Sequence, residues 1–362
     1  MHFTFPAYHH PDFTQSIFVQ APQARLIPAP KDGVVPDGYH ATTIYPEYYH
    51  IDGHWLLAKE SRMDCVAVYE AGEIKVCEMR RVKAGDLVVM GRSERCEEGI
   101  YVHYDGFVQP EDGHDLFAFR QGRSRETAYS MDYDSLYELL RHEKEHGFVT
   151  WVLGPACAFD ADSRDAFGKL VSGGYVHALL AGNALATHDL EAAYLNTALG
   201  QNVYTQRSVP LGHYNHIDTI NKVRQYGSIP AFIQNEKLSG GIICNCVAKK
   251  VPFVLAGSIR DDGPLPEVYG NVYEAQDAMR SYVRRSTTVI CLATVLHSVA
   301  TGNMTPSYRV LEDGTVRPVY FYSVDISEFA VNKLRDRGSL AVKTIVTNVQ
   351  DFVVNVSKGL GL

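Results

Sequence analysis

The chain of 362 residues has little that would tie it to a membrane, a nucleic acid or an oxidising compartment. No stretch approaches the roughly 18 consecutive apolar residues that a membrane helix needs. The opening MHFTFPAYHHPDF carries neither a basic n-region nor an apolar h-region, so a cytoplasmic location is expected. Basic residues are outnumbered: 34 Lys and Arg against 42 Asp and Glu give a formal charge of −8. Without a basic block, a nucleic-acid partner is not expected. The seven cysteines, at positions 65, 77, 96, 157, 244, 246 and 291, are odd in number and scattered, which points to free thiols. Only Cys244 and Cys246 are close, and no second CxxC makes them a zinc knuckle. A G-x-G-x-x-G fingerprint is missing too, as is any internal repeat at the 20–50 residue scale.

What is present is an ordinary globular composition, 46% apolar and 21% charged, at a length that suits two domains. Residues 1–125 read as a smaller β-rich domain. Its runs HATTIYP, HWLLAKE, DCVAVYE, IKVCEMR, DLVVMGR and GIYVHYD are separated by Asp-Gly, Ala-Gly and Glu-Gly turns. Residues 108–131 look like a connection. From residue 126 to 362 the period changes: an amphipathic helix, DYDSLYELLRHEKEHG, leads into FVTWVLG, YVHALLAG, VPFVLAG, TTVICLAT, PVYFYSVD and LAVKTIVT. Strands apolar on both faces, alternating with helical stretches, are what a helix-covered parallel sheet requires. The fold class expected is therefore α/β: a doubly wound, mostly parallel Rossmann-like sheet preceded by a β-rich domain.

In such a sheet ligands bind beyond the carboxyl ends of the strands, so the loops leaving the six runs are the place to look. Gly182 and Asn183 turn one strand into a helix starting near Ala184, whose free N–H groups suit a phosphate. Asp325 ends YFYSVD, where it can accept hydrogen bonds from ribose hydroxyls or cap the next helix. His297 follows another strand end. Arg260, Asp261 and Asp262 form a charged cluster suited to ligand binding. His213, Asn215 and His216 occupy a polar loop, and Cys244 and Cys246 read as packing thiols. Residues 142–146 spell H-E-x-x-H, which could hold zinc with Glu143 as base. Charged neighbours and Gly147 instead make this the solvated last turn of a surface helix, and no metal is expected.

Several of these loops resemble a known family. LLAGNALATHDLEAA, HYNHIDTIN, VPFVLAGSIRDDGPLPEV, EAQDAM, LATVLHSVATGNM and VDIS are similar to the archaeal-type ornithine cyclodeaminases, also labelled the lysine-oxoglutarate reductase/saccharopine dehydrogenase bifunctional-region family. The resemblance spans about residues 30–362 and implies a nucleotide domain akin to that of deoxyhypusine synthase, with NAD as cofactor. Carried over residue by residue, it implies NAD contacts at Asn183, Ala184, Asp261, Asp262, Thr294, Val295, Leu296, His297, Asp325, Asn348 and Val349. The substrate side would be His213, Asn215, His216, Asn245 and Arg260, and the groups nearest the chemistry Asp262, His297 and Cys246.

The implied reaction turns ornithine into proline and ammonia through an imine and a cyclic imine, with internal return of a hydride. Three positions depart from the family pattern: Tyr214 replaces an Arg, Asn245 a Glu and Asn348 an Asp. Each trades a charge for a neutral group, so the amino acid or amine substrate stays open. An NAD-dependent amino-acid or amine dehydrogenase and a non-catalytic NAD-binding protein are the alternatives. A homodimer or homotetramer is the expected assembly.

Overall fold

The computed structural model describes residues 5–107, 129–259, 261, 263–328, 330 and 339–362. The first part of the chain builds a short helix, α1 (Ser16–Val19), and brief strands. These are β1 (Arg25–Pro28), β2 (Glu47–Ile51), β3 (His54–Leu57), β4 (Glu60–Ser61), β5 (Val66–Glu70), β6 (Glu73–Cys77), β7 (Leu87–Met90) and β8 (Ile100–Val102). They form antiparallel sheets in the orders β1-β7-β5-β6 and β3-β2-β8. Asp52-Gly53 and Ala71-Gly72 each place two consecutive residues at positive φ, the geometry that a two-residue hairpin needs.

HATTIYP is not a strand. It contributes an isolated bridge from Ala41 to Val66. The reason is Glu47, fully buried, whose carboxylate gathers His40 Nε2, the Thr43 amide and the Tyr49 hydroxyl and so folds residues 40–47 into a loop. β1 and β2 are strands that the patterning did not single out.

The second part alternates helix and strand. It begins α2 (Ser130–His146), β9 (Val149–Leu153), α3 (Ala161–Ser172), β10 (Ala178–Gly182), α4 (Asn183–Leu195), β11 (Thr197–Ala198) and β12 (Gln201–Asn202). Next come α5 (Asn215–Tyr226), α6 (Ile229–Asn235), α7 (Gly241–Lys249), β13 (Phe253–Ala256), β14 (Val268–Tyr269), α8 (Val272–Val283), β15 (Thr288–Leu292) and α9 (Val295–Met304). It ends with β16 (Tyr308–Val310), β17 (Val316–Pro318), β18 (Tyr320–Asp325), β19 (Ala341–Val346) and a C-terminal helix, Val349–Gly359.

Seven of these strands make one sheet in the order β14-β13-β10-β9-β15-β18-β19, parallel at every pairing. All six apolar runs became its strands, and β14 is an added edge. Alternate side chains explain why those runs are apolar throughout. Trp151, Leu179 and Ile290 pack with α2, α3, α4, α7 and the C-terminal helix, while Val152, Leu180 and Cys291 pack with α8 and α9. The winding direction reverses between β9 and β15, and this switch is where the carboxyl edge opens a crevice.

The two parts are stitched together. β16 and β17, lying in the chain between α9 and β18, form a hairpin whose β16 pairs with β4. The Tyr308 hydroxyl donates to Ala58 O at 2.8 Å, and the Val310 amide to Lys59 O at 2.8 Å. Ion pairs add to the joint: Arg280 of α8 meets Glu78 at 2.6 Å, and Asp277 meets Arg80 at 2.6 Å. The expected boundary at residue 125 and residues 108–128 of the expected connection at 108–131 lie outside the described residues, and its last two residues, Ser130 and Met131, begin α2.

Candidate active site

At the switch point the loops after β9 and β15 are pressed together. The Gly154 amide donates to Leu292 O at 2.8 Å, and a Cβ on Gly154 would overlap the Ala293 carbonyl. Ala293 itself has φ +49, a left-handed conformation that costs an alanine energy and is held by its surroundings. One turn further, His297 reaches across to β10: a Cβ on Gly182 would lie 2.9 Å from its Cε1. Burial pushes the His297 imidazole below its ordinary pKa, and the negative charge of Asp261 opposes part of that shift. The Asp261 carboxylate accepts the Ser258 amide at 2.9 Å, which holds it in the loop after β13.

Two helix N-termini face this edge, and free N–H groups there favour an anion. α4 starts directly at the end of β10. Its first residue, Asn183, is buried, and its side-chain oxygen accepts the Leu265 amide at 3.0 Å, anchoring the loop after β13 beside it. Ala184 follows in the first turn. α9 starts after Thr294, with Val295 and Leu296 exposed at the edge. Farther along the sheet Asp325 ends β18, where its Oδ1 accepts the Ser327 amide at 2.9 Å. That is an Asx turn leaving the strand, and it occupies one of the two carboxylate oxygens. Asn348 caps the C-terminal helix, accepting the Gln350 amide at 2.8 Å, and Val349 is buried in the main core.

A second cluster was missed by the sequence reading. Glu191 of α4 is fully buried and accepts from His188 Nδ1 at 3.0 Å and from Thr197 Oγ1 at 2.8 Å. A carboxylate accepts, so a His188 proton sits on Nδ1 in this contact. Asn215 Nδ2 donates to Thr197 Oγ1 at 2.8 Å, and the His216 ring lies 6.1 Å from that of His188. Asn215 and His216 thus join His188 and Glu191, whereas His213 is exposed and its ring lies tilted against that of Tyr214. The signal available was H-D-L-E in ATHDLE: the spacing of three puts His188 and Glu191 on one helix face.

Other expected residues are placed elsewhere. Cys246 is fully buried in the main core, where burial drives its thiol far above the ordinary range, away from the reactive thiolate. Asn245 bridges two helices: its Nδ2 donates to Gly241 O at 2.6 Å, and its oxygen accepts from Ser172 at the end of α3. Ser172 closes a helix that starts at the carboxyl edge, so this contact is made toward the opposite edge. Arg260 and Asp262 lie outside the described residues. The solvated reading of residues 142–146 is corrected at Glu143, which is fully buried and bonded to Arg317 at 2.7 Å and to the Thr287 hydroxyl. Its carboxylate is consumed by a buried pair, and no metal-binding cluster occurs among the described residues.

A parallel sheet in this order, with helix N-termini, strained backbone and a buried histidine at its switch point, defines a Rossmann-fold nucleotide-binding enzyme. The family model for the C-terminal Rossmann-fold domain of arginine dihydrolase ArgZ-like proteins matches residues 135–356. The ornithine cyclodeaminase of Methanopyrus kandleri is 36% identical over 345 residues, 94% of this chain and 79% of that protein. A crystal structure of a conserved LOR/SDH protein from Methanococcus maripaludis S2 superposes with a TM-score of 0.85 at 36% identity, covering 94% of this chain and 98% of that one. AgrE of Nostoc, a bifunctional arginine dihydrolase/ornithine cyclodeaminase, was crystallised as a ternary complex with ornithine and NAD+. It superposes with a TM-score of 0.58 at 30% identity, over 94% of this chain and 46% of that one. The chain belongs to the archaeal-type ornithine cyclodeaminase family and is an enzyme of the cyclodeaminase type.

Proposed function

We propose that this enzyme converts ornithine to proline and ammonia with a tightly held NAD that is regenerated in every turnover. The observation that carries the reading is the His297–Gly182 approach at the switch point, in a chain whose ornithine cyclodeaminase relatives align over nine-tenths of its length. The residues fit the cofactor. The α4 and α9 N-termini can receive its pyrophosphate, Gly154 and Gly182 leave no side chain in the way, and Asp325 keeps one oxygen for a ribose hydroxyl. When bound, the nicotinamide supplies a hydride acceptor and then a hydride donor, so no net NADH appears.

The chain's own groups have the proton work. The α-ammonium must lose protons before its carbon is oxidised to an imine, and the δ-amine must be neutral to attack that carbon. Loss of ammonia then leaves the five-membered cyclic imine, whose reduction gives proline. His297, neutral at pH 7 because burial disfavours its charged form, can accept one of these protons and return it to the departing ammonia. His188, oriented by Glu191, is a second group beside His216 that can hold or move a proton. Ring closure is intramolecular and needs positioning more than acid strength.

Incubation of the NAD-loaded enzyme with isotopically labelled ornithine tests this. Labelled proline with equimolar ammonia and no rise at 340 nm is expected. Net NADH would replace the reading with a dehydrogenase, and unchanged ornithine would remove ornithine as the substrate.

A further inference from the structure

The opposite edge of the parallel sheet carries a second opening that the proposed reaction does not use. A groove of about 460 Å³ is walled there by His146 and Phe148 at the entry to β9, Arg285 after α8, Arg309 on β16, and Glu312 with Asp313 on the turn toward β17. It is lined by charges of both signs. Arg285 and Arg309 line it, and of the other arginines near Arg309, Arg284 is paired with Glu60 and Arg317 with Glu143 at 2.7 Å. Arg285 and Arg309 have no carboxylate partner among the described residues. Arg309 instead donates to the carbonyl of Arg285 at 2.5 Å, and the Arg285 guanidinium lies 4.7 Å over the Phe148 ring. Burial holds Arg309 below its ordinary pKa; the Glu60 carboxylate on the paired strand opposes that shift and the neighbouring guanidiniums add to it.

Glu312 and Asp313 line the same groove. Glu312 is exposed, and Asp313 accepts from Thr315, whose amide lies at 2.9 Å and whose side chain also donates. A bare phosphate or a dicarboxylate would meet repulsion there, whereas a ligand that carries both a carboxylate and an ammonium satisfies the charges of both signs. We propose that this groove is a second binding site for a free α-amino acid in its zwitterionic form. Its carboxylate lies on Arg285 and Arg309, and its ammonium faces Glu312 and Asp313. Because β16 also pairs with β4, an occupant braces the hairpin that joins the two parts of the chain. The site is independent of the ornithine reading, since the crevice lies at the other end of the strands.

Calorimetric titration of the full NAD-loaded chain with the common L-α-amino acids and ornithine, each alone, tests the proposal. At least one should bind with a component that weakens tenfold or more in Arg309→Gln and in Glu312→Gln and persists in the crevice variant Gly182→Ala. The methyl ester and the deaminated acid of that ligand should each bind at least tenfold more weakly than the amino acid. Glu312 is exposed on a turn, so its variant decides the matter if Arg309→Gln folds poorly. The proposal is overturned if no amino acid binds outside the crevice, if Glu312→Gln binds as the parent does, or if inorganic phosphate binds as tightly as the best amino acid.

Discussion

His297 and Gly182 come from different strand ends, yet a Cβ on the glycine would stand 2.9 Å from Cε1 of the imidazole. Real Cβ atoms essentially never come that close to a neighbour, so one of the two must give way in any larger residue at position 182. Gly182→Ala should therefore tilt His297 out of place while leaving the sheet folded, because the backbone there has φ −100 and needs no glycine for its own sake. Steady-state kinetics should show kcat down about 10- to 100-fold, as expected for a displaced catalytic group. An unchanged kcat would separate His297 from the chemistry.

Acid should weaken the fold through its buried histidines. Burial lowers the pKa of His103, His177 and His297, so each binds its proton more readily when unfolded. The stability these groups contribute is complete above the unfolded value of about 6.5 and is lost as pH falls from there through the lower folded values. Urea denaturation should give a smaller unfolding free energy at about pH 5.5 than at pH 7.5. The acid limb of kcat/KM for His297 should likewise lie below about 6.5.

Asp325 performs one observed task and one proposed task, and two substitutions separate them. Asp325→Asn keeps an oxygen for the Ser327 amide but removes the charge offered to ribose; Asp325→Ala removes both. Fluorescence titration with NADH should show affinity falling about tenfold in the first variant, the worth of one charge-assisted hydrogen bond, and further in the second. Full affinity in both would detach Asp325 from the cofactor.

His142 and Glu143 are neighbours with different burial. His142→Ala should leave turnover within twofold of the parent, since the reaction proposed here takes place at the other edge of the sheet. Glu143→Ala strands Arg317 in the interior and should cost about 3–5 kcal/mol, read by chemical denaturation. Metal analysis of the purified chain should find no stoichiometric zinc; one zinc per chain would restore the protease-like reading of this motif.

The apolar runs announced the parallel sheet because a strand buried on both faces has few alternatives to being apolar throughout. β1 and β2 were harder to see. RLIP is short and ends in proline, and EYYHI mixes a buried glutamate with tyrosines whose hydroxyls need partners. The site was legible in part for a similar reason. Gly182, Asn183, Asp261, His297 and Asp325 sit at strand ends, and strand ends are visible in a one-dimensional pattern. Asn245 and Cys246 were misplaced because a helix sequence does not say which neighbour its faces will meet.

The sequence by itself determined that this is a Rossmann-type chain with glycine turns and polar loops at its strand ends, since backbone conformation and burial period are local properties. Only the tertiary structure decided which loops share the crevice, that His188 is oriented by a buried Glu191, and that the Glu of H-E-x-x-H belongs to Arg317. It also decided that the hairpin from the second part completes a sheet begun in the first. These are relations between residues far apart in the chain, set by how packed elements exclude water and satisfy buried charge.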